Sequence, residues 1–547
     1  MEYGRKMVVM KIIVTESIAL EGIEHLKSRG FDVDVKFGIA REELLAIIQE
    51  YDALIVRSVT KVNEELFEKA SNLKVVGRAG NGVDNIDLKA ATARGIIVVN
   101  TPESNIMAAA ELAVADAYAI FRNLIQSVEA GRNGDFRRGK FIGNELDGKT
   151  AGVIGLGRIG TIVARKLMGS NMRVVAYDPY IGDEHFAQLG VTRCETLEEL
   201  LKQSDLITLH TPKTSETYGL IGEKEIAQCK DGVRIVNAAR GGLVNEKALY
   251  DALVSGKVAA AALDVLDPEP NYNKKPEEQD YRNPLLTLGN CIITPHLGAS
   301  TDEANYNVGT AVTQLVGEAL EGLVVPAVNM PQVSGGNIEE IKPYLNLAEA
   351  LGRIYFQTEK KPLKRIEVIY SGDLAKDDVS TGLYTLSVAK GLLGVIVPTR
   401  VNYVNAKNLL DSMGIGLVES KSTYLEKYTN LITVRFINEE KTLSVSGTVF
   451  AKSELRIVEF YGYRLDFEPS ENVLAIQNRD VPGIIGKIGT VLGDAGINIA
   501  AVQWSRKDRG DKAEAFVSTD QAADEKTIKE LLAIEGVQKV SNINFFA

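Results

Sequence analysis

Apolar residues along the first hundred positions fall into two alternating patterns. KIIVT (11–15), VDVKF (33–37), ALIVRS (53–58), KVVGRAGNGVDN (74–85) and IIVVN (96–100) begin with dense or alternating apolar side chains, as buried strands do. Between them, residues 18–28, REELLAIIQEY (41–51), NEELFEKA (63–70) and DLKAATARG (87–95) space their apolar residues as helices do, the first carrying Ile18, Ile23 and Leu26. Strands alternating with helices of this length predict a doubly wound α/β unit on a parallel sheet. Ligands of such sheets lie beyond the carboxyl ends of the strands.

The alternation resumes after SNIMAAAELAVADAYAIFRNL (104–124), an Ala-rich stretch predicted as one long helix between two lobes. Thr150 to Asp178 then reads strand, glycine turn, helix, strand, acid, with later strands at 206–212, 233–242, 260–265 and 291–298. DEANYNVGTAVTQLVGEALEG (302–322) is a helix expected to return to the first lobe, and VVPAVNMPQVSGGN (324–337) a linker. Beyond it the rhythm changes. Helices at 345–357, 385–396 and 406–415 are interleaved with strands at 365–372, 431–437, 442–450, 455–461 and 463–469, an α+β pattern. Residues 469–547 give βαββαβ, the ferredoxin-like order that many functions share.

Composition narrows the function classes. The 547 residues, 45% hydrophobic and 25% charged, suit several globular domains with large cores. A net charge of -11 argues against nucleic acid or an anionic membrane as partner. Cys194, Cys229 and Cys291 are too few and too widely spaced for a disulfide framework or a metal site, and a reducing cytoplasm is the expected setting. MEYGRKMVVM is too short and charged for a signal peptide, so it is read as an extension before the first strand, and no run has the length of a membrane helix.

Candidate chemistry gathers at strand ends. In Gly155-Leu-Gly157-Arg158-Ile159-Gly160, the first glycine allows a tight turn, the second a close approach to a pyrophosphate, and the third close packing of helix on sheet. Phosphates would sit at the helix N-terminus. Asp178 stands 18 residues after Gly160, placed for ribose hydroxyls, and its charge favours NAD over NADP. In the first lobe, Arg57-Ser58 and Arg78-Ala79-Gly80-Asn81 end their strands and could form an anion site. Hydride transfer from a secondary alcohol needs a base, a cation for the substrate's carboxylate, and an acid that orients the base. His296 in Pro-His-Leu-Gly is the expected base, and Arg240, between Ala-Ala and Gly-Gly, the expected cation. Glu269, stiffened between two prolines, is the expected acid. His210 reads as a satisfied strand histidine, and His25 and His185 as helical and near the surface.

GLGRIG (155–160), NAARGGLVNEKAL (237–249), LDVLDPEP (263–270) and PHLGAST (295–301), in this order, resemble the D-isomer-specific 2-hydroxyacid dehydrogenases. The resemblance implies that Arg240, Glu269 and His296 are the catalytic residues. It also implies NAD contacts at Asn81, Arg158, Ile159, Asp178, Thr211, Ala238, Ala239, Asp264, His296, Leu297, Gly298 and Ala299. VRSVTKV (56–62) and GRAGNGVDNID (77–87) resemble the phosphoglycerate dehydrogenase branch, which implies 3-phosphoglycerate as substrate and a place in serine biosynthesis. Its carboxylate would meet Arg240, Ala79 and Gly80, and its phosphate Arg57 and Ser58, joined across a homo-oligomer by the basic loop of Arg137, Arg138 and Lys140.

The same resemblance implies a division into a substrate lobe (1–105 with 300–327) and an NAD-binding Rossmann lobe (106–299). An intervening α+β domain (328–468) and an ACT domain (469–547) would follow. In the last, Asn478, Asp480 and Asn498 would bind L-serine; in the third, Lys452, Arg456 and Arg464 are candidates for an anionic effector. One departure stands out: 271–279 (NYNKKPEEQ) looks inserted between the Glu269 and His296 motifs. A hydroxypyruvate or glyoxylate reductase, or an NAD(H)-sensing scaffold, remain the alternative readings.

Overall fold

The structure is a computed structural model, describing residues 9–270, 274–331, 338–423, 428–506 and 512–546. The extension before Val9, residues 271–273 of the inserted stretch and residues 332–337 of the linker lie outside it.

The first sheet holds β1 (Lys11–Val14), β2 (Asp32–Val35), β3 (Ala53–Val56), β4 (Val75–Arg78) and β5 (Ile97–Asn100), parallel throughout and ordered β2-β1-β3-β4-β5. Helices α1 (Leu20–Ser28), α2 (Arg41–Ile47), α3 (Glu64–Lys69) and α4 (Leu88–Ala93) connect them. Asn63 and Asp87 cap α3 and α4 by accepting the Leu66 and Ala90 N–H groups, which fixes where each helix starts.

Next come α5 (Ile106–Phe121), a slightly shorter form of the helix predicted at 104–124, and α6 (Leu124–Arg132), which was not predicted. Asn123 takes a left-handed φ of 49° and breaks the run. On α5, Ala110, Ala113 and Ala117 lie against Val236, Ala260 and Ala262, so small side chains bring the helix close to the second sheet.

That sheet contains β6 (Thr150–Ile154), β7 (Arg173–Tyr177), β8 (Thr192–Arg193), β9 (Leu206–Leu209), β10 (Val233–Asn237), β11 (Val258–Leu263) and β12 (Cys291–Ile293). It is parallel and ordered β12-β11-β10-β9-β6-β7-β8, with α7 (Arg158–Gly169), α8 (Asp183–Leu189), α9 (Leu197–Gln203), α10 (Glu223–Gln228) and α11 (Glu246–Ser255) in its connections. The chain order reverses between β6 and β9, and at that switch point the glycine turn leaves β6. Helix α12 (Asp302–Leu320) then packs on the first sheet, where Gly77 leaves it room: a Cβ there would lie 2.5 Å from a Val316 methyl.

The rest of the chain builds two further sheets. Helices α13 (Ile338–Thr358), α14 (Gly382–Gly394) and α15 (Ala406–Ser412) cover a mixed sheet ordered β14-β13-β15-β16-β17-β18. Its strands are β13 (Arg365–Gly372), β14 (Gly416–Ser422), β15 (Asn430–Ile437), β16 (Thr442–Phe450), β17 (Glu454–Phe460) and β18 (Tyr463–Phe467). β14 was not expected, because this edge strand is mostly exposed and polar. The last sheet, ordered β20-β21-β19-β22, comprises β19 (Val473–Arg479), β20 (Ile499–Arg506), β21 (Lys512–Thr519) and β22 (Val537–Ile543), with α16 (Ile484–Asp494) and α17 (Glu525–Ala533) on one face. It is antiparallel, as the βαββαβ order requires.

β19 faces two cores at once. Val473 and Ala475 join Phe467, Phe516 and Phe545 against the third sheet, while Leu474 and Ile476 join α16 and α17. Lys539–Glu359 at 2.7 Å, and Arg353 Nε donating to the Asn544 carbonyl at 3.0 Å, add polar ties between these units. The third sheet's unit also touches the first lobe: Asn402 Nδ2 donates to the Gly95 carbonyl at 2.7 Å. Among the described residues, no helix is long and apolar enough to cross a membrane.

Candidate active site

The strand-end residues of the two parallel sheets converge on one cleft. The glycine turn is shaped by sterics at two positions. Gly155 has φ 88°, and a Cβ on Gly160 would lie 2.0 Å from the Gly155 carbonyl oxygen, so neither tolerates a side chain. At Gly157 a Cβ would meet nothing within 4 Å, and this open space above the start of α7 suits a pyrophosphate. Asp178 ends β7 and accepts the Leu156 N–H at 2.9 Å and the Tyr180 N–H at 3.0 Å, which sets its carboxylate beside the turn. Thr211 contributes a buried hydroxyl with no partner among the described residues, a group left for a ligand. These features fit a dinucleotide lying across the switch point. Arg158 is paired with Glu103 at 2.9 Å, and Ile159 follows it in α7.

His296 follows β12 with φ 56°. Its Nδ1 lies 3.2 Å from Glu269 Oε1. Burial alone would raise the Glu269 pKa; the hydrogen bond to His296 and the charges of His296, Arg240 and Lys213 outweigh it and hold the carboxyl below its ordinary value. The loop around His296 hangs on Asp264. That buried carboxylate accepts the Leu297 N–H at 2.7 Å, the Gly298 N–H at 2.8 Å and the Thr294 hydroxyl at 2.5 Å. Asp264, expected at the cofactor, is thus engaged in shaping the loop of Leu297, Gly298 and Ala299.

Arg240 leaves β10 through Ala238 and Ala239. Asn237 closes this turn by donating to the Arg240 carbonyl at 2.9 Å and accepting the Ala239 N–H at 3.1 Å. The guanidinium reaches across to the first lobe, 3.4 Å from Asp84. Arg78 is pushed down to about 10, first by burial and then by the charges of Arg240 and Arg57, so three guanidinium groups share one region. Such a cationic group in a cleft calls for an anion. Around it, Ala79 and Gly80 are buried, Ser58 is exposed, and the Asn81 carbonyl accepts from Asn100.

Other residues singled out from the sequence have their own surroundings. Arg137 and Lys140 both bind Asp135. His210 is held by Thr208 at 2.9 Å and pushed down to about 3 by burial, the bland role expected of it. In the last sheet, Asp480 pairs with Arg506 at 2.7 Å and Asn498 with Asp520 at 3.0 Å, while Asn478 Oδ1 is buried without a partner among the described residues. Arg456 pairs with Glu454, Lys452 lies in a turn, and Arg464 offers its carbonyl to Ser505.

Sequence reasoning missed Glu16 and Lys213. Glu16 accepts the N–H groups of Arg57, Val59 and Thr60 at 2.9–3.0 Å and so forms the Arg57 loop. Its signal was available: it lies just beyond the end of β1, as Arg57 lies just beyond the end of β3. Lys213 binds Asp267 at 2.9 Å, beside Glu269.

Residues 114–298 match the family model described as the D-isomer specific 2-hydroxyacid dehydrogenase NAD binding domain. Residues 340–461 match the D-3-phosphoglycerate dehydrogenase intervening domain, and 472–536 the ACT domain. D-3-phosphoglycerate dehydrogenase of Methanocaldococcus jannaschii is 42% identical over 98% of this chain and 100% of its own. That of Bacillus subtilis is 38% identical over 98% of this chain and 100% of its own. The chain belongs to the D-3-phosphoglycerate dehydrogenase family. It is an NAD-dependent oxidoreductase. Among solved structures, the TT0316 protein of Thermus thermophilus is 33% identical with a TM-score of 0.53, covering 58% of this chain and 99% of its own. A glyoxylate reductase from Paecilomyes thermophila, 30% identical with a TM-score of 0.52, covers 59% of this chain and 99% of its own. Both correspond to little more than half of this family member.

Proposed function

We propose that the protein oxidises 3-phospho-D-glycerate to 3-phosphohydroxypyruvate, the first step of L-serine biosynthesis. The observation that carries the reading is the group of three arginines, Arg57, Arg78 and Arg240, opposite the Glu269–His296 pair. A substrate with two anionic ends fits such a cleft, and a plain hydroxy acid would leave part of its charge unanswered. In this reading Arg240 binds the carboxylate in bidentate fashion, Arg57 and Ser58 bind the phosphate, and Arg78, Ala79 and Gly80 shape the space between.

Bound NAD supplies the hydride acceptor; the turn at Gly155, Gly157 and Gly160 and the carboxylate of Asp178 hold it. His296, with Nδ1 turned to Glu269, takes the hydroxyl proton at Nε2 as the C2–H bond breaks. The negative charge of Glu269 supports the imidazolium that results, and Arg240 steadies the carbonyl that forms. In the reverse direction the imidazolium returns the proton.

The protein acts as a homo-oligomer in this reading. Helix α6 buries none of its residues, and Phe136 and Ile142 beyond it are 82% and 81% exposed, an apolar arm that a second copy would cover. The same pairing would bring Arg137 and Lys140 to the partner's phosphate site. L-serine is the proposed effector, its ammonium at Asp480 and its carboxylate near Asn478 and Asn498, between paired ACT domains.

NADH consumption at 340 nm tests the reading. With 3-phosphohydroxypyruvate the expected kcat/KM exceeds that with hydroxypyruvate or glyoxylate by about a hundredfold or more, as several charge-assisted contacts would give. Preference for an unphosphorylated acid rejects the phosphate site. Turnover of none favours a sensing scaffold. Serine titration of the same assay should lower the rate, and an unchanged rate and melting temperature reject the effector.

A further inference from the structure

The loop carrying Glu269 runs from the end of β11 at Leu263 to the start of β12 at Cys291, and a loop of that length would by itself hold a carboxylate loosely. Its two ends meet on one side chain. Glu246, in the first turn of α11, accepts the Asp267 N–H through Oε1 at 2.7 Å and an Asn283 Nδ2–H through Oε2 at 2.5 Å. Asn283 also donates to the Tyr281 hydroxyl at 3.2 Å and accepts the Leu285 N–H at 3.0 Å, so the far end is fixed where the chain enters a 3-10 turn at Pro284. At the near end, Lys213 holds the Asp267 carboxylate. Glu246 lies on the same segment as Arg240. A Cβ at Gly241 would lie 2.1 Å from the Leu266 carbonyl oxygen, so that segment is pressed directly on the Glu269 loop.

We infer that Glu246 is a positioning residue for proton transfer: its carboxylate staples residues 267 and 283 together, so that Glu269 keeps its 3.2 Å contact with His296 whatever the length of chain between. The inference rests on the proposed pairing of Glu269 with His296. It accounts for how the loop can lengthen without displacing the acid two residues from its near anchor. A carboxylate is suited to the task because it only accepts, and two donors approach it from different sides.

Glu246→Gln preserves size but turns an NH2 toward one of the two donors, releasing one end. Expected is a loss of kcat/KM of about tenfold, mostly in kcat, since misplacing a catalytic group by a fraction of an ångström costs rate rather than binding. The acidic limb of the pH profile should move in the direction seen for Glu269→Gln, and NADH affinity by fluorescence titration should not change. The double variant decides the route: if Glu246 acts through Glu269, adding Glu246→Gln to Glu269→Gln costs less than about twofold more. A further tenfold loss overturns the inference, and so does a wild-type rate in Glu246→Gln. Asn283→Ala opens the far end while leaving Glu246 in place; about a threefold loss is expected, and no loss overturns the staple even if Glu246→Gln does not fold. A wild-type rate and pH profile in Glu269→Gln alone would instead overturn the reading of Glu269 itself.

Discussion

The cleft between the two parallel sheets and the strand ends of the last sheet hold their polar residues in opposite ways. In the cleft, carboxylates are tied to main-chain N–H groups: Asp264 to Leu297 and Gly298, Glu16 to Arg57, Val59 and Thr60, Glu246 to Asp267. On the last sheet, Asp480 and Asn498 are tied to other side chains, Arg506 and Asp520, and the buried Asn478 Oδ1 meets no donor among the described residues. Main-chain ties fix loop geometry before a ligand arrives, which favours chemistry. Exposed side-chain pairs are worth little and exchange readily, which favours a site that assembles on binding or pairing. The cleft is therefore prepared within one chain, and the side-chain pairs of the last sheet are held in a way that can change.

The sharpest way to break this contrast is at His296. His296→Ala should lose about 10²- to 10⁴-fold in kcat while binding NADH as before, because it removes only the proton acceptor from a cleft otherwise fixed. Unchanged kcat would show that the prepared geometry serves something other than proton transfer. The next effect is at Arg57, whose loop Glu16 holds. Arg57→Ala should raise KM for 3-phosphohydroxypyruvate about 10- to 100-fold, the value of charge-assisted hydrogen bonds, and leave KM for glyoxylate within about twofold. Equal rises for both substrates would place Arg57 in the fold of the cleft rather than at a phosphate.

What the sequence made legible follows from the same contrast. Arg240, Glu269 and His296 could be read because the chemistry demands those residue types at strand ends, and strands were plain from their apolar runs. Glu16 and Glu246 escaped because their work is to accept N–H groups from loops distant in sequence, and periodicity does not say which loops meet. The helix at 104–124 was read too long because nothing in its composition marks Asn123 as left-handed. β14 escaped because an exposed edge strand carries no apolar alternation. The fourfold partition into sheets was readable mainly from the change in strand and helix rhythm after residue 338.

The smallest effect separates the two halves by their buried acids. Asp116 on α5 is pushed up to about 7, by burial and then by the charge of Asp264, and its Oδ2 has no partner among the described residues. Glu514 on β21 is pushed up to about 7 by burial, against the opposing hydrogen bond from Gln477 and the charge of Lys539. A carboxyl whose pKa is higher folded than unfolded binds more protons when folded. Each therefore favours the folded state at pH below about 4, and that advantage is lost as pH rises toward about 7. Asp116→Asn and Glu514→Gln abolish the dependence, but the amide NH2 in its place must find acceptors or remain unsatisfied. That amide cost is the same at every pH, so the gain at pH 8 over pH 5 keeps the linkage difference, on the order of 2–3 kcal/mol and several degrees in Tm. Because the third and fourth sheets share one core through Val473, Phe516 and Phe545, they should melt as a unit apart from the cleft. Calorimetry from pH 5 to 8 should show Asp116→Asn moving one transition and Glu514→Gln the other. If both substitutions move a single transition together, the cleft and the last sheet are one cooperative body, and their different ways of holding polar groups do not extend to independent stability.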